Sequence, residues 1–214
     1  MRKILITNNK GGCGKSTLAT NLAAYFANEG VTTSLADYDE QGSSVEWLDR
    51  RSDKFPKISS LIGYKDGLKH IPKATEVLVI DAPARSSNKE LTNLINHVDT
   101  ILVPVMPSSI DMEASAKYIS EILTRNKIQN KQAKVALIAN RVRENTIIFD
   151  ELDVFLDSYK IPYIATLRET QNYIKSFQKG LGIHEMPPYL AWQDWEQWEP
   201  IIDWLNSKKS QISK

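Results

Sequence analysis

The chain has 214 residues, of which 42% are hydrophobic and 25% charged, with a formal net charge of +1. These proportions match those of soluble globular proteins and exclude a disordered or membrane-embedded chain. Its single cysteine, Cys13, excludes an internal disulfide and any cysteine cluster for zinc or iron–sulfur chemistry.

At this length one α/β domain, residues 1–214, is expected, burying about 70% of the surface of the unfolded chain. Met1-Arg2-Lys3-Ile4-Leu5 leads straight into a polar glycine-rich segment, and no apolar run nears the roughly 18 residues needed to cross a bilayer. A cytoplasmic location is therefore expected.

In chain order, β-rich runs fall at 3–7, 32–36, 76–80, 100–103, 134–138 and 161–164. Several are continuously apolar, the pattern of strands covered by helices on both faces. Between the first two runs, Leu18, Leu22, Ala23 and Phe26 recur at helical spacing and Gly30 marks a stop. Further helices are predicted over 43–51, 88–96, 112–125, 146–159, 171–179 and 194–206. The alternation predicts a doubly wound, mostly parallel sheet with helices on both faces. There are no internal repeats, and no separate helix-turn-helix domain is expected.

Lys10-Gly11-Gly12-Cys13-Gly14-Lys15-Ser16-Thr17 lies between the first strand and first helix. A glycine-rich turn there aims backbone N–H groups at phosphate oxygens, with the positive end of the helix dipole behind them. Lys15 would reach the β- and γ-phosphates, the Ser16 hydroxyl would ligate Mg²⁺, and Thr17 would add a phosphate hydrogen bond. Cys13 occupies the variable position of the loop. Asn9 stands where the common P-loop pattern has glycine, but the deviant pattern Lys-Gly-Gly-x-Gly-Lys-Ser/Thr is matched in full.

That octet resembles the ParA/MinD family of P-loop ATPases, and the short ParA type in particular. The resemblance implies ATP as nucleotide, Mg²⁺ as metal and an ATP-sandwiched homodimer, in which Lys10 crosses the interface to the partner's phosphates. A solvated surface lysine is the alternative. Val79-Ile80-Asp81-Ala82-Pro83 resembles the family's Walker B segment, which implies that Asp81 holds Mg²⁺ through water. Asp37-Tyr38-Asp39-Glu40-Gln41 resembles its Asp-x-Asp-Pro-Gln, with Glu40 in place of proline. By that likeness Asp39 orients the attacking water and Asp37 supports the metal site, while a pair of helix-capping acids is the other possibility. Asn140-Arg141 resembles the site where an asparagine amide reads adenine, although asparagine is also an ordinary turn residue. The segment Val103 to Asp111 resembles the family's dimer-face loop and receives no catalytic role. The motifs run in family order from residue 3 to about 184.

Between Arg125 and Arg143 the chain carries six basic residues and no acid. Lys131, Lys134 and Arg143 from this run, with Arg168, Lys175 and Lys179 from a second, are candidate contacts to non-specific DNA, which clustered cations attract in a salt-dependent manner. A solvated basic face is the alternative. In the tail, Trp192, Trp195, Trp198 and Trp204 are interleaved with Asp194, Glu196, Glu199 and Asp203. Those acids oppose docking on anionic lipid, so this helix is expected to pack on the protein body or bind a partner.

The functional expectation is a partitioning or positioning ATPase. ATP closes a homodimer that binds DNA at the nucleoid, and a ParB-like or cargo-adaptor protein stimulates hydrolysis and release. A MinD-like membrane-associated regulator and an ATP-dependent small-molecule ligase are the alternatives.

Overall fold

Alternate residues of β1 (Arg2–Ile6) point to opposite faces of a sheet, Ile4 and Ile6 into one core and Leu5 into the other. Both faces must therefore be covered, and they are. The computed structural model describes residues 1–212; Ser213 and Lys214, part of the expected 1–214 domain, lie outside the described residues.

Six more strands join β1: β2 (Thr33–Asp37), β3 (Ser59–Ile62), β4 (Val77–Asp81), β5 (Thr100–Val105), β6 (Lys134–Val142) and β7 (Tyr163–Arg168). They form one all-parallel sheet in the order β3-β2-β4-β1-β5-β6-β7. On one side of β1 the chain steps out to β2 and β3 and returns with β4 between β2 and β1; on the other side β5, β6 and β7 run outward in succession. The carboxyl end of β1 is thus the switch point where such sheets bind ligands. The doubly wound parallel fold expected from the alternation is the one observed.

The helices are α1 (Lys15–Asn28), α2 (Ser43–Asp49), α3 (Gly63–Asp66), α4 (Asn88–His97), α5 (Ser109–Leu123), α6 (Asn126–Gln129), α7 (Ile147–Asp157), α8 (Gln171–Gln178) and α9 (Pro188–Asn206). Leu18 and Leu22 of α1, Trp47 of α2, and Trp198, Ile201 and Leu205 of α9 fill the core on one face. Leu94 and Ile95 of α4, Ile119 and Ile122 of α5, and Leu152 and Leu156 of α7 fill the other.

The short helices α3 and α6 were not predicted and several element ends differ by a few residues from the sequence expectation; four departures bear on the sheet edge, the site and the tail. β3 was not predicted; it is a four-residue edge strand in which only Leu61 is buried, too short and too exposed to carry a period. β6 runs on through Asn140 and Arg141, which therefore lie within the strand and not in a turn after it. The strand bulges there, with Arg141 in the left-handed region at φ 56°. β7 extends to Arg168. Helix α9 starts six residues early because Pro188 occupies its first turn, where a missing N–H costs nothing.

The tryptophan-rich helix packs on the body, as one of the two expectations had it. Trp198 and Trp204 are buried, and Trp192 alone of its tryptophans is half exposed. The end of α9 and the turn after it, residues 205–210, tie back to the first strand. The Arg2 guanidinium donates to the Leu205 carbonyl and, at 2.8 Å, to Ser210 Oγ, while Thr100 Oγ1 donates to the Ser210 carbonyl at 2.9 Å. Among the described residues no helix is long and apolar enough to cross a membrane.

Candidate nucleotide site

The loop from β1 to α1 turns on Gly12 (φ 78°) and Gly14 (φ 95°), both in the left-handed region that side chains resist. At Gly14 the requirement is double, because an added Cβ would stand 2.1 Å from Asn140 Nδ2. The N-terminus of α1 has neither a side-chain cap nor an acid in its first turn. Its leading N–H groups and helix dipole are thus left for an external anion.

The two lysines of the loop face different ways. Lys15 is buried and curls inward, its Nζ donating to the Lys10 carbonyl at 2.9 Å and lying 3.8 Å from Cys13 Sγ. Lys10 points outward, with its Nζ 3.1 Å from Asp111 Oδ1 at the start of α5. Cys13 is buried and burial pushes its thiol up, so it is a packed small residue and not a thiolate.

Asp37 and Asp81 end β2 and β4, as the sequence motifs require, and both are buried. Their partners differ. Asp37 Oδ2 accepts N–H bonds from Ser44 (2.8 Å) and Val45 (3.2 Å), and Oδ1 accepts one from Asp39 (2.9 Å). In this structure the helix-capping role foreseen as the alternative for Asp37 is the one its contacts fill, at the N-terminus of α2. Asp81 Oδ2 accepts from Ser44 Oγ at 2.7 Å, and the nearby Ser16 hydroxyl, like Ser44, favours the charged form of this carboxyl. Asp81 Oδ1 is buried with no partner. Burial, more than the neighbouring Asp37, lifts the Asp81 carboxyl to about 7 and moves Asp37 in the same direction.

An orphaned carboxylate oxygen beside the Ser16 hydroxyl is what a hydrated magnesium ion needs, since Mg²⁺ keeps most of its waters and takes few protein ligands. The residues fit the group. Asp39 sits at the mouth, partly exposed; its Oδ1 accepts from Gln41 N at 3.0 Å, forming an Asx turn that does without the family's proline. It lines a cleft of about 670 Å³ shared with Gly11.

On the other side of the loop, a cleft of about 480 Å³ is bounded by Gly12, Gly14, Thr17, Asn140, Arg141 and Glu169. Asn140 is buried and its Nδ2 donates to the Cys13 carbonyl at 2.8 Å, so it clasps the phosphate loop itself. Arg141 and Arg143 both pair with Glu169, at 2.8 and 2.6 Å.

The candidate DNA residues are not brought together as the linear run implied. Lys131 and Lys134 lie at the start of β6 and Arg143 just beyond its far end, separated by nine strand residues or roughly 30 Å. Arg168 is held by the buried Asp194 at 2.6 Å. Lys175 and Lys179 remain exposed, one turn apart on α8 and just past its end.

Three participants carried no sequence signal of their own. Ser44 and Glu169 are ordinary residues in ordinary composition, and Asp111 was assigned no role. Each becomes visible only when the fold places it against a motif.

A parallel sheet with an uncapped glycine loop at its switch point, a buried lysine and an orphaned carboxylate define a P-loop nucleotide-binding protein. The chain belongs to the CobQ/CobB/MinD/ParA nucleotide-binding domain family, whose model matches residues 4–183. It is 27% identical over 190 residues to the maintenance of carboxysome distribution protein A of Halothiobacillus neapolitanus, covering 86% of this chain and 87% of that protein. It is also 27% identical over 154 residues to the chromosome-partitioning ATPase Soj of Thermus thermophilus, covering 57% of this chain and 61% of that one. Its fold matches that of an ATP complex of a Cyanothece McdA variant with a TM-score of 0.76 at 14% identity, over 100% and 99% of the two chains. The expected P-loop fold, ParA/MinD kinship and nucleotide-binding ATPase class agree with these findings.

Proposed function

We propose that this protein is an ATP-driven positioning or partitioning switch. The observation that carries the proposal is the division of labour between two lysines of one loop, Lys15 folded inward and Lys10 turned out toward the rim. An inward lysine suffices to bind a nucleotide. An outward one is suited to a phosphate that arrives on a second subunit.

In this mechanism the N–H groups of Gly11 to Thr17 cradle the phosphates and Lys15 neutralises them. Ser16 Oγ and, through water, Asp81 would hold Mg²⁺, which would supply charge neutralisation at the phosphates. Asp39, at the mouth, orients the attacking water, and Lys10 of the opposing subunit offsets charge developing in the transition state. Asp37 supports the metal indirectly by fixing Ser44, whose hydroxyl bonds Asp81. Asn140 and Arg141 line the cleft that receives the adenine ring.

The paired form binds DNA without sequence preference at the nucleoid, two weak basic patches acting together. A partner protein stimulates hydrolysis and resets the switch. The cargo is a protein assembly: a relative matched over 86% of this chain and 87% of its own length is named for carboxysome distribution. A replicon is the second choice, by likeness to Soj.

Size-exclusion chromatography of wild type, Lys10→Ala and Asp39→Ala with ADP or ATP, followed by DNA retention of each species, tests this. Asp39→Ala is expected to accumulate an ATP-bound dimer that retains DNA, and Lys10→Ala to stay monomeric. Normal pairing and hydrolysis by Lys10→Ala would overturn the proposal.

A further inference from the structure

One face of α5 runs along the segment that leads into the phosphate loop and touches it at three successive places. Tyr118 OH and Thr7 Oγ1 share a hydrogen bond of 2.5 Å, Asn8 Nδ2 donates to Ser115 Oγ at 3.0 Å, and Lys10 Nζ pairs with Asp111 at 3.1 Å. Asp111, Ser115 and Tyr118 are spaced four and three residues apart, so they form one stripe on the helix. Asn8 Nδ2 also donates to the Pro104 carbonyl at 2.8 Å, tying the same segment to β5.

The three contacts differ in kind. The Thr7–Tyr118 and Asn8–Ser115 bonds lie between buried groups, where breaking them leaves polar atoms without partners. The outermost is an ion pair between a largely buried Asp111 and a lysine whose side chain is 35% exposed. Asp111 Oδ1 makes no aligned hydrogen bond, so the contact is mainly electrostatic. When the three are pulled on, the Lys10 side chain is therefore the part that lets go, while Asp111 stays with the helix.

We infer that Asp111 is a positioning residue for Lys10, holding its ammonium against α5 in the unpaired chain so that it is released only when a second nucleotide-bound subunit offers its phosphates. The inference rests on the sandwich dimer proposed above and adds a regulator to it. With Asp111 in place, some of the electrostatic gain at the partner's phosphates offsets loss of the internal pair. More ATP-loaded protein is then needed before pairing occurs. Asp111 acts only through Lys10.

Asp111→Asn removes the charge while keeping the shape, and two readouts on the full chain test it. In nucleotide-free protein, acetic anhydride labelling of Lys10 followed by peptide mass spectrometry reports how tightly the amine is held. Asp111→Asn is expected to raise the labelling rate several-fold, with other lysines unchanged. In light scattering against ATP concentration, the same variant should reach half-maximal pairing at about twofold to fivefold less ATP, the range a partly exposed ion pair supports. In a Lys10→Ala background, Asp111→Asn should change nothing.

Unchanged Lys10 labelling overturns the inference, and so does pairing that needs equal or more ATP while thermal melts show an intact fold. An effect of Asp111→Asn that survives in the Lys10→Ala background also overturns it, since Asp111 would then act by another route. Should neither wild type nor Asp111→Asn pair with ATP although labelling rises, the sandwich dimer is what has failed, and this inference falls with it.

Discussion

Asp37 and Asp81 are paired neighbours at the carboxyl ends of β2 and β4, both about 1% exposed, and Ser44 joins them by donating its N–H to one and its hydroxyl to the other. Two buried carboxyl groups this close are costly to charge together. Asp37 is repaid by three backbone N–H bonds. Asp81 keeps one oxygen unmatched.

Replacing Asp81 by Asn removes the group that is costly to ionise. Asp81→Asn is expected to stabilise the nucleotide-free protein, at roughly 2–4 °C in Tm per kcal/mol for a chain of this size. The same variant should lose the Mg²⁺-dependent part of its stabilisation by ADP. Melting curves with ADP, with and without Mg²⁺, check both. A variant that melts lower without nucleotide would contradict this account of Asp81.

Gly14→Ala introduces a side chain at φ 95° whose Cβ would strike the Asn140 amide that clasps the loop. The backbone strain alone is about 1–3 kcal/mol. Loss of nucleotide binding, measured by calorimetry with ADP, should exceed the loss of stability. Gly30→Ala, also left-handed but with open space around its Cβ, should affect stability alone.

His184 offers a pH test away from the site. Its ring packs on Tyr25, Trp195 and Trp198, and burial lowers its pKa to about 4 from an ordinary 6.5. The folded state therefore disfavours the proton that the unfolded chain accepts. The contribution is fully present above pH 6.5 and is lost as pH falls through 4, on the order of a few kcal/mol in all. His184→Phe keeps the ring and removes the buried, unpartnered Nδ1. Urea melts from pH 8 to pH 4 should show a flatter acid limb for the variant.

Lys175 and Lys179 are exposed candidate DNA contacts that lie close together along α8 and just past its end. Charge reversal of both should weaken retention of non-specific DNA by the ATP form and lower the slope against log salt by about 2 per subunit. Reversal of Lys131 and Lys134, at the opposite end of β6, should leave retention near wild type. The reverse pattern in filter binding would place DNA at the other edge.

Six of the seven strands were legible because continuous apolar runs such as Val77 to Ile80 have no other home than a sheet covered on both faces. β3 was not, since an exposed edge strand has no face to bury. The phosphate loop was legible because its chemistry needs particular residues at fixed spacing. Asp37 was ambiguous because a carboxylate that caps a helix and one that serves a metal read alike in sequence. The N–H bonds from Ser44 and Val45 become visible only once the fold sets α2 against the end of β2. The Lys10–Asp111 pair was invisible for a plainer reason: nothing local links a lysine after β1 to an acid after β5 until the two strands lie side by side.

The tie between Arg2 and residues 205–210 has a consequence for how the site comes into being. Leu205 is made 203 residues after Arg2, yet it helps hold the strand from which the phosphate loop springs. Every P-loop residue has been synthesised long before that clasp exists. A growing chain thus carries the full nucleotide motif well before it has the anchored strand to present it, and contacts this distant in sequence are late to form. Competence to bind nucleotide should therefore arrive only after α9 and the turn after it have been made and have docked.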